Sequence, residues 1–203
     1  MEIETERVNV NSWVPVGNQL MLKASFLNKP DKFLGEEFSE KQCYEVLQFG
    51  SSYKAPGLED VLTVGDKVLI IEDSNAKSNG TRMSIGPDVV WFYPPKSVAV
   101  VFKKKEGEDK YEIIPVNDFV VLKRNSPEKK LGNLFIPTSA EESSTQADVA
   151  FVGTGKSSDD EEHKFEVSVG DHVLVSKHSK NDLTINGEEY LIVKDVEILA
   201  KSK

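Results

Sequence analysis

The chain has 203 residues with 34 acidic and 25 basic side chains, a formal charge of -9. That balance repels a phosphate backbone and offers no basic stripe for counterion release, which excludes nucleic acid as an expected ligand. A single cysteine, Cys43, excludes an intrachain disulfide and a thiolate-rich metal site, and suits a reducing compartment.

Hydrophobic residues make up 38% of the chain, so small cores beside long polar loops or an oligomeric interface are expected. The first residues, Met1-Glu2-Ile3-Glu4-Thr5-Glu6-Arg7, carry no basic stretch followed by an apolar run. No segment approaches the roughly 18 apolar residues that a membrane helix needs. A cytoplasmic protein without a membrane partner is the expectation.

In chain order, Val14 to Lys23 reads as a strand entered through a proline turn. Segment 26–38 breaks its apolar residues with charges, and Phe33, Leu34 and Phe38 are expected to pack in a core or between units. A short strand over 43–49 ends at Gly50, and Val64-Gly65-Asp66 supplies a turn or bulge before a β-branched run. Trp91-Phe92-Tyr93-Pro94-Pro95 is bulkier than a small barrel interior needs, so part of it is expected to face the other unit or a neighbouring subunit. An aliphatic strand over 96–102 follows. The segment 103–110, Lys103-Lys104-Lys105-Glu106-Gly107-Glu108-Asp109-Lys110, has no large apolar residue and reads as a solvated linker.

The second half repeats the first. Ile114-Pro115-Val116 lies over Val14-Pro15-Val16 at an offset of 100 residues, and Val169-Gly170-Asp171 over Val64-Gly65-Asp66 at an offset of 105. Between them 147–153 matches 43–50, and 194–200 matches 96–102. No window of ten or more residues shows a helical apolar period. The fold class expected is all-β, with two tandem small β-barrels or sandwiches over 1–102 and 111–203.

Two segments of the second unit stand out. From about 125 to 146 the chain is dominated by Ser, Pro, Lys, Glu, Gly and Thr, a composition that cannot bury enough apolar surface to order itself. Leu134-Phe135-Ile136 in its middle is then an exposed apolar triplet, the other reading being a strand pinned to the barrel. Asp159-Asp160-Glu161-Glu162 reads as a solvated loop tip, since a calcium site needs alternating oxygen ligands and a turn glycine.

Catalytic readings fail one by one. Ala150 to Ser157 approaches a phosphate-binding loop, but alanine replaces the first glycine and an acidic loop follows where a helix must begin. His163, His172 and His178 have spacings that suit no zinc site. No nucleophile motif is present. The chain is expected not to be an enzyme and to carry no cofactor and no metal.

Taken in order, 114–121, Leu131-Gly132-Asn133-Leu134-Phe135-Ile136-Pro137, 169–175 and 190–196 resemble a co-chaperonin of the GroES family, over about 111–200. The first unit carries the same landmarks more faintly, so both units are read as GroES-like barrels. The resemblance implies a homo-oligomeric ring that caps a GroEL-type chaperonin and assists ATP-dependent folding of unfolded client proteins. It implies that 125–146 is a mobile loop docking through Gly132, Leu134, Phe135 and Ile136. Phe135 and Pro137 depart from the family's usual loop, which has smaller aliphatic residues, and bear on which chaperonin is recognised. Asp159, Asp160, Glu161 and Glu162 fall where the family has a roof hairpin, and their mutual repulsion would keep that roof loose. Segment 26–38 lacks the glycine and tripeptide, so chaperonin binding is expected of the second unit alone. Family members that depart this far include viral ones, for which the compartment is the host cytoplasm. GroES-like folds also occur in medium-chain dehydrogenases, but a dinucleotide-binding half is absent. The competing reading is a structural or assembly protein of duplicated GroES-like barrels that engages no chaperonin; it requires an ordered 134–136 segment.

Overall fold

The computed structural model describes residues 10–27, 43–72, 80–105, 107, 110–124, 130–131, 134–135, 146–156, 162–176, 179 and 181–202. Among them the regular elements are strands and short 3-10 turns, in agreement with the all-β reading. The first unit supplies β1 (Leu20–Ser25), β2 (Cys43–Phe49), β3 (Lys67–Ile70), β4 (Thr81–Ile85), β5 (Asp88–Tyr93) and β6 (Val98–Lys104). The second half supplies β7 (Tyr111–Pro115), β8 (Phe119–Arg124), β9 (Lys130–Leu131), β10 (Leu134–Phe135) and β11 (Gln146–Val152). It ends with β12 (His172–Val175), β13 (Asp182–Ile185), β14 (Glu188–Lys194) and β15 (Ile198–Lys201).

The repeat survives down to single hydrogen bonds. One sheet runs β4-β5-β1-β2-β3-β6-β7 and the other β13-β14-β8-β11-β12-β15, so six strands recur in one order. Both copies bulge at the same places, once where Leu22 and Leu122 face Val46 and Val149, and again beside Leu69 and Leu174 on the last strand. A bulge sharpens the twist and helps the sheet curl. Curling is visible in the cores: Tyr93 on β5 and Val98 and Val101 on β6 share one cluster with Leu20, Leu22, Val46 and Val68, although three strands separate β5 from β6 in the sheet. Val120, Leu122, Val149, Val173, Val175, Leu191 and Val193 make the equivalent core of the second unit.

One glycine in each unit lies at an equivalent close approach, Gly50 in the first and Gly153 in the second. The N–H of Gly50 donates to Gln19 O at 2.8 Å and that of Gly153 to Phe119 O at 2.9 Å. A Cβ on Gly50 would meet Gly17 O at 2.1 Å, and one on Gly153 would meet Phe119 O at 2.7 Å, so the close approach admits no side chain.

The charged segment 103–110 is tighter than a free spacer. Lys103 and Lys104 are the last residues of β6, opposite Glu112 and Tyr111 of β7, and Lys105 N–H donates to Lys110 O at 3.1 Å. Composition points to solvent because the side chains at this end are charged, yet the backbone pairs in a hairpin. The first strand of the second half is therefore the last strand of the first sheet. Leu69, Ala99, Val100 and Phe102 pack in one cluster with Phe119, Val121, Leu183, Ile185 and Ile192, and the Asn117 side chain, buried and at φ 55, donates to Val98 O at 2.8 Å.

The aromatic run packs on both faces of β5. Tyr93 and Trp91 share the inward face, each edge-on to Tyr44 at 5.6 Å, while Phe92 takes the opposite face beside Met21, Ile85 and Val90. Phe33, Leu34 and Phe38 lie outside the described residues.

Candidate functional site

The excursion after β8 is set by strand pairing. β8 and β11 run antiparallel with Arg124 opposite Ala147, so residues 125–145 leave and return at neighbouring points on the sheet. The first unit opens at the matching place, where Ser25 faces Cys43 across β1 and β2 and encloses 26–42. Arg124 is fixed at the base of the excursion by Asp182, its Nε donating to Oδ1 at 2.8 Å.

Within the excursion β9 and β10 pair antiparallel, Leu131 opposite Leu134 and Lys130 opposite Phe135. This two-stranded ribbon belongs to neither barrel sheet. Gly132 and Ile136 lie outside the described residues, as do the side-chain surroundings of Leu134 and Phe135. Two of the four residues expected to dock are thus placed, by backbone, in one short strand.

The residues flanking the acidic segment pair as a short stem. Lys156 and Glu162 form an isolated antiparallel bridge, and His163 N–H donates to Gly155 O at 2.6 Å. Gly155 has φ 68, and a Cβ there would meet His163 O at 2.5 Å. Asp159, Asp160 and Glu161 lie outside the described residues, while Glu162 is exposed at the stem. The first unit builds no such stem among its described residues: 55–62 is a run of turns that buries Leu58 and Leu62 in the core. The phosphate-loop look-alike falls on this stem, where β11 ends at Val152 and no helix follows among the described residues.

Polar pairs on the second barrel are structural in character. His172 Nδ1 lies 2.7 Å from Asp148 Oδ1 across β11 and β12, and His163 Nε2 lies 2.9 Å from Asp195 Oδ2. His178 is outside the described residues. Lys123 and then Tyr190, both bonded to Glu188, hold its carboxyl below the usual range. Burial, and then that bond, push the Tyr190 hydroxyl up to about 12. Among the described residues no group of three or more His, Cys, Asp or Glu side chains is placed to hold a metal ion.

A duplicated, curled six-stranded sheet with a long excursion between its second-unit strands β8 and β11 defines a small β-barrel binding module. Comparison with known proteins places it. The family model "Chaperonin 10 Kd subunit" matches residues 112–202. A co-chaperonin GroES of Clostridium botulinum is 42% identical over 89 residues, which span 43% of this chain and 95% of that relative. The Clostridium novyi protein of the same name is also 42% identical over 89 residues, 43% of this chain and 95% of its own length. A co-chaperonin GroES of Chlamydia caviae is 38% identical over 93 residues, 45% of this chain and 91% of its own length. The chain belongs to the chaperonin 10 Kd family of co-chaperonins, through its second unit. Sequence reasoning missed the buried Asn117 bond and the hairpin that joins the units; the positive-φ Asn after Pro115-Val116, where the first unit has Gly17, is the signal that was available.

Proposed function

We propose that this chain is a co-chaperonin that closes a GroEL-type chaperonin ring through the excursion of about 125–146 and assists ATP-dependent folding of unfolded client proteins in the cytoplasm. Gly132, Leu134, Phe135 and Ile136 make the docking contact, and the protein acts by binding rather than as an enzyme. The observation that carries this reading is that the second unit alone spans 95% of a co-chaperonin relative. Support also comes from the geometry at the base of the excursion, where β8 and β11 present both ends of 125–145 side by side and the 134–135 strand pairs outside the barrel sheets.

The energetics suit a releasable cap. A segment that orders on docking loses roughly 2–5 kcal/mol of its gross interaction energy. Several such segments held on one homo-oligomeric ring recover it through effective concentration, so weak contacts add to a firm but reversible closure. The division into a unit over 1–102 and a unit over 111–203 assigns gripping to the second and bracing or enlarging the assembly to the first. The roof acids Asp159, Asp160, Glu161 and Glu162 stand only on the second unit.

The test mixes the chain with GroEL-type chaperonins, with and without ATP, and follows co-migration of wild type and Phe135→Glu. Wild type is expected to co-migrate and Phe135→Glu to lose at least tenfold in affinity with an unchanged circular dichroism spectrum. Absence of binding to every chaperonin of the host defeats the reading, and undiminished binding by the variant defeats the assignment of 134–136. The rival structural-protein reading draws on the β9–β10 pairing, which gives 134–135 regular structure; it predicts assemblies indifferent to both chaperonin and nucleotide.

A further inference from the structure

Besides the β6–β7 pairing, the two units meet at the foot of the stem that flanks 157–161. In the first unit 55–58 is a turn locked from within. Leu58 N–H donates to Ala55 O at 2.9 Å and Ala55 N–H to Glu59 Oε1 at 2.8 Å. The Asn18 amide brackets Lys54, accepting from its N–H at 3.1 Å and donating to its carbonyl at 2.8 Å. Ala55 and Leu58 are buried in the first core, so the turn is a fixed platform.

Gly57 stands on that platform at φ 78, against the second unit. A Cβ there would meet Lys156 Cβ at 2.8 Å and Thr154 Oγ1 at 2.9 Å. The Thr154 hydroxyl can turn aside about χ1, but Lys156 Cβ is fixed to its backbone. That hydroxyl is buried with no hydrogen-bond partner among the described residues. Close fit therefore makes this seat, and it admits no side chain at position 57.

A line of hydrogen bonds reaches the same stem from β6. The Asn117 side chain donates to Val98 O at 2.8 Å, and Asn117 O accepts from Gly155 N–H at 3.0 Å. Gly155 O accepts in turn from His163 N–H at 2.6 Å, the bond that closes the stem. On the far side His163 Nε2 lies 2.9 Å from Asp195 Oδ2, and Asp195 N–H donates to Asp118 O at 2.9 Å. The first unit has no stem among its described residues, so the support runs one way.

We propose that the first unit positions the acidic stem of the second. Gly57 seats 154–156, and Val98 O tethers the foot of the stem through Asn117, so both units together fix where the chain leaves for 157–161 and where it returns. Asp159, Asp160, Glu161 and Glu162 repel one another, and a stem of one isolated bridge is marginal alone. Contiguous packing and hydrogen bonds of this kind carry coupling between two parts of a fold. The inference deepens the bracing role of the first unit and rests on the co-chaperonin reading only for its use. Its test contains no chaperonin, so either can fail without the other.

The experiment follows backbone amide exchange by NMR on the full chain, comparing wild type, Gly57→Ala and Gly17→Ala. Gly17 has the same φ of 78 and nothing within 4 Å of an added Cβ, so its substitution carries the backbone strain without the collision. Gly57→Ala is expected to lower the protection of the Gly155 and His163 amides by about tenfold or more, and Gly17→Ala to leave both unchanged. In a Lys156→Gly background, where the colliding Cβ is gone, Gly57→Ala is expected to change them by less than about threefold. Unchanged protection in Gly57→Ala, an equal fall in Gly17→Ala, or an undiminished effect without the Lys156 side chain overturns the proposal. Should Gly57→Ala fail to fold, Asn117→Gly, which keeps the positive φ comfortable, tests the tether. It is expected to lower protection of the same two amides by about tenfold, and unchanged protection there overturns the proposal as well.

Discussion

The first and second units place the same six strands in the same order with the same bulges, yet surround them differently. Where the second unit sends Lys156 and Glu162 up into a stem, the first folds 55–62 back and buries Leu58 and Leu62. Where the first unit's last strand is covered by β7 and buried from Val98 to Phe102, the second unit's last strand is an edge among the described residues. Duplication preserved what closes a barrel and left loops and edges to diverge, since a loop residue is constrained only by what it binds.

The comparison breaks first at Phe102. Its side chain fills the shared core beside Tyr111, ring centres 6.5 Å apart, where the second unit has Ser202, just past β15. Phe102→Ala is expected to cost about 3–5 kcal/mol in urea unfolding, as large aromatic truncations in packed cores do. A cost below 1 kcal/mol would mean that the units do not share this core.

Next in size is Asn117→Ala, which strips the buried Val98 carbonyl of its donor and is expected to cost about 1–3 kcal/mol by the same measurement. Asn117→Gly keeps the positive φ comfortable and isolates the lost bond. The smallest effect is expected at the twin cross-strand ion pairs, Lys23 to Asp88 at 3.0 Å and Lys123 to Glu188 at 2.8 Å. Both are solvent-exposed, so Lys23→Ala and Lys123→Ala should each shift the melting temperature by little, and less still in high salt.

Much of the frame was legible because strands and tight turns write themselves into the sequence. Val-Gly-Asp before a β-branched run marked β3 and β12, and the proline turns marked the entries to β1 and β8. The last strands were matched two residues out of step: Val98 looks like Val196, but the structure sets it over Ile198, each strand following a 3-10 turn, Pro95–Ser97 and Asp195–Glu197. A shift of two preserves the alternation of faces, so periodicity alone does not detect it. The hairpin at 103–110 was hidden for a different reason. Its lysines face solvent, and backbone pairing leaves no trace in composition. Of the candidate site, the apolar triplet at 134–136 was legible from composition, whereas the placement of both ends of its excursion on adjacent strands required the register of β8 and β11.

Divided labour between the units is most directly tested by hydrogen–deuterium exchange on the full chain, with and without a GroEL-type chaperonin and ATP. Protection is predicted to appear in peptides covering 125–146 and to leave those covering 26–42 unchanged. Equal protection of both segments, or protection of 26–42 alone, would contradict it.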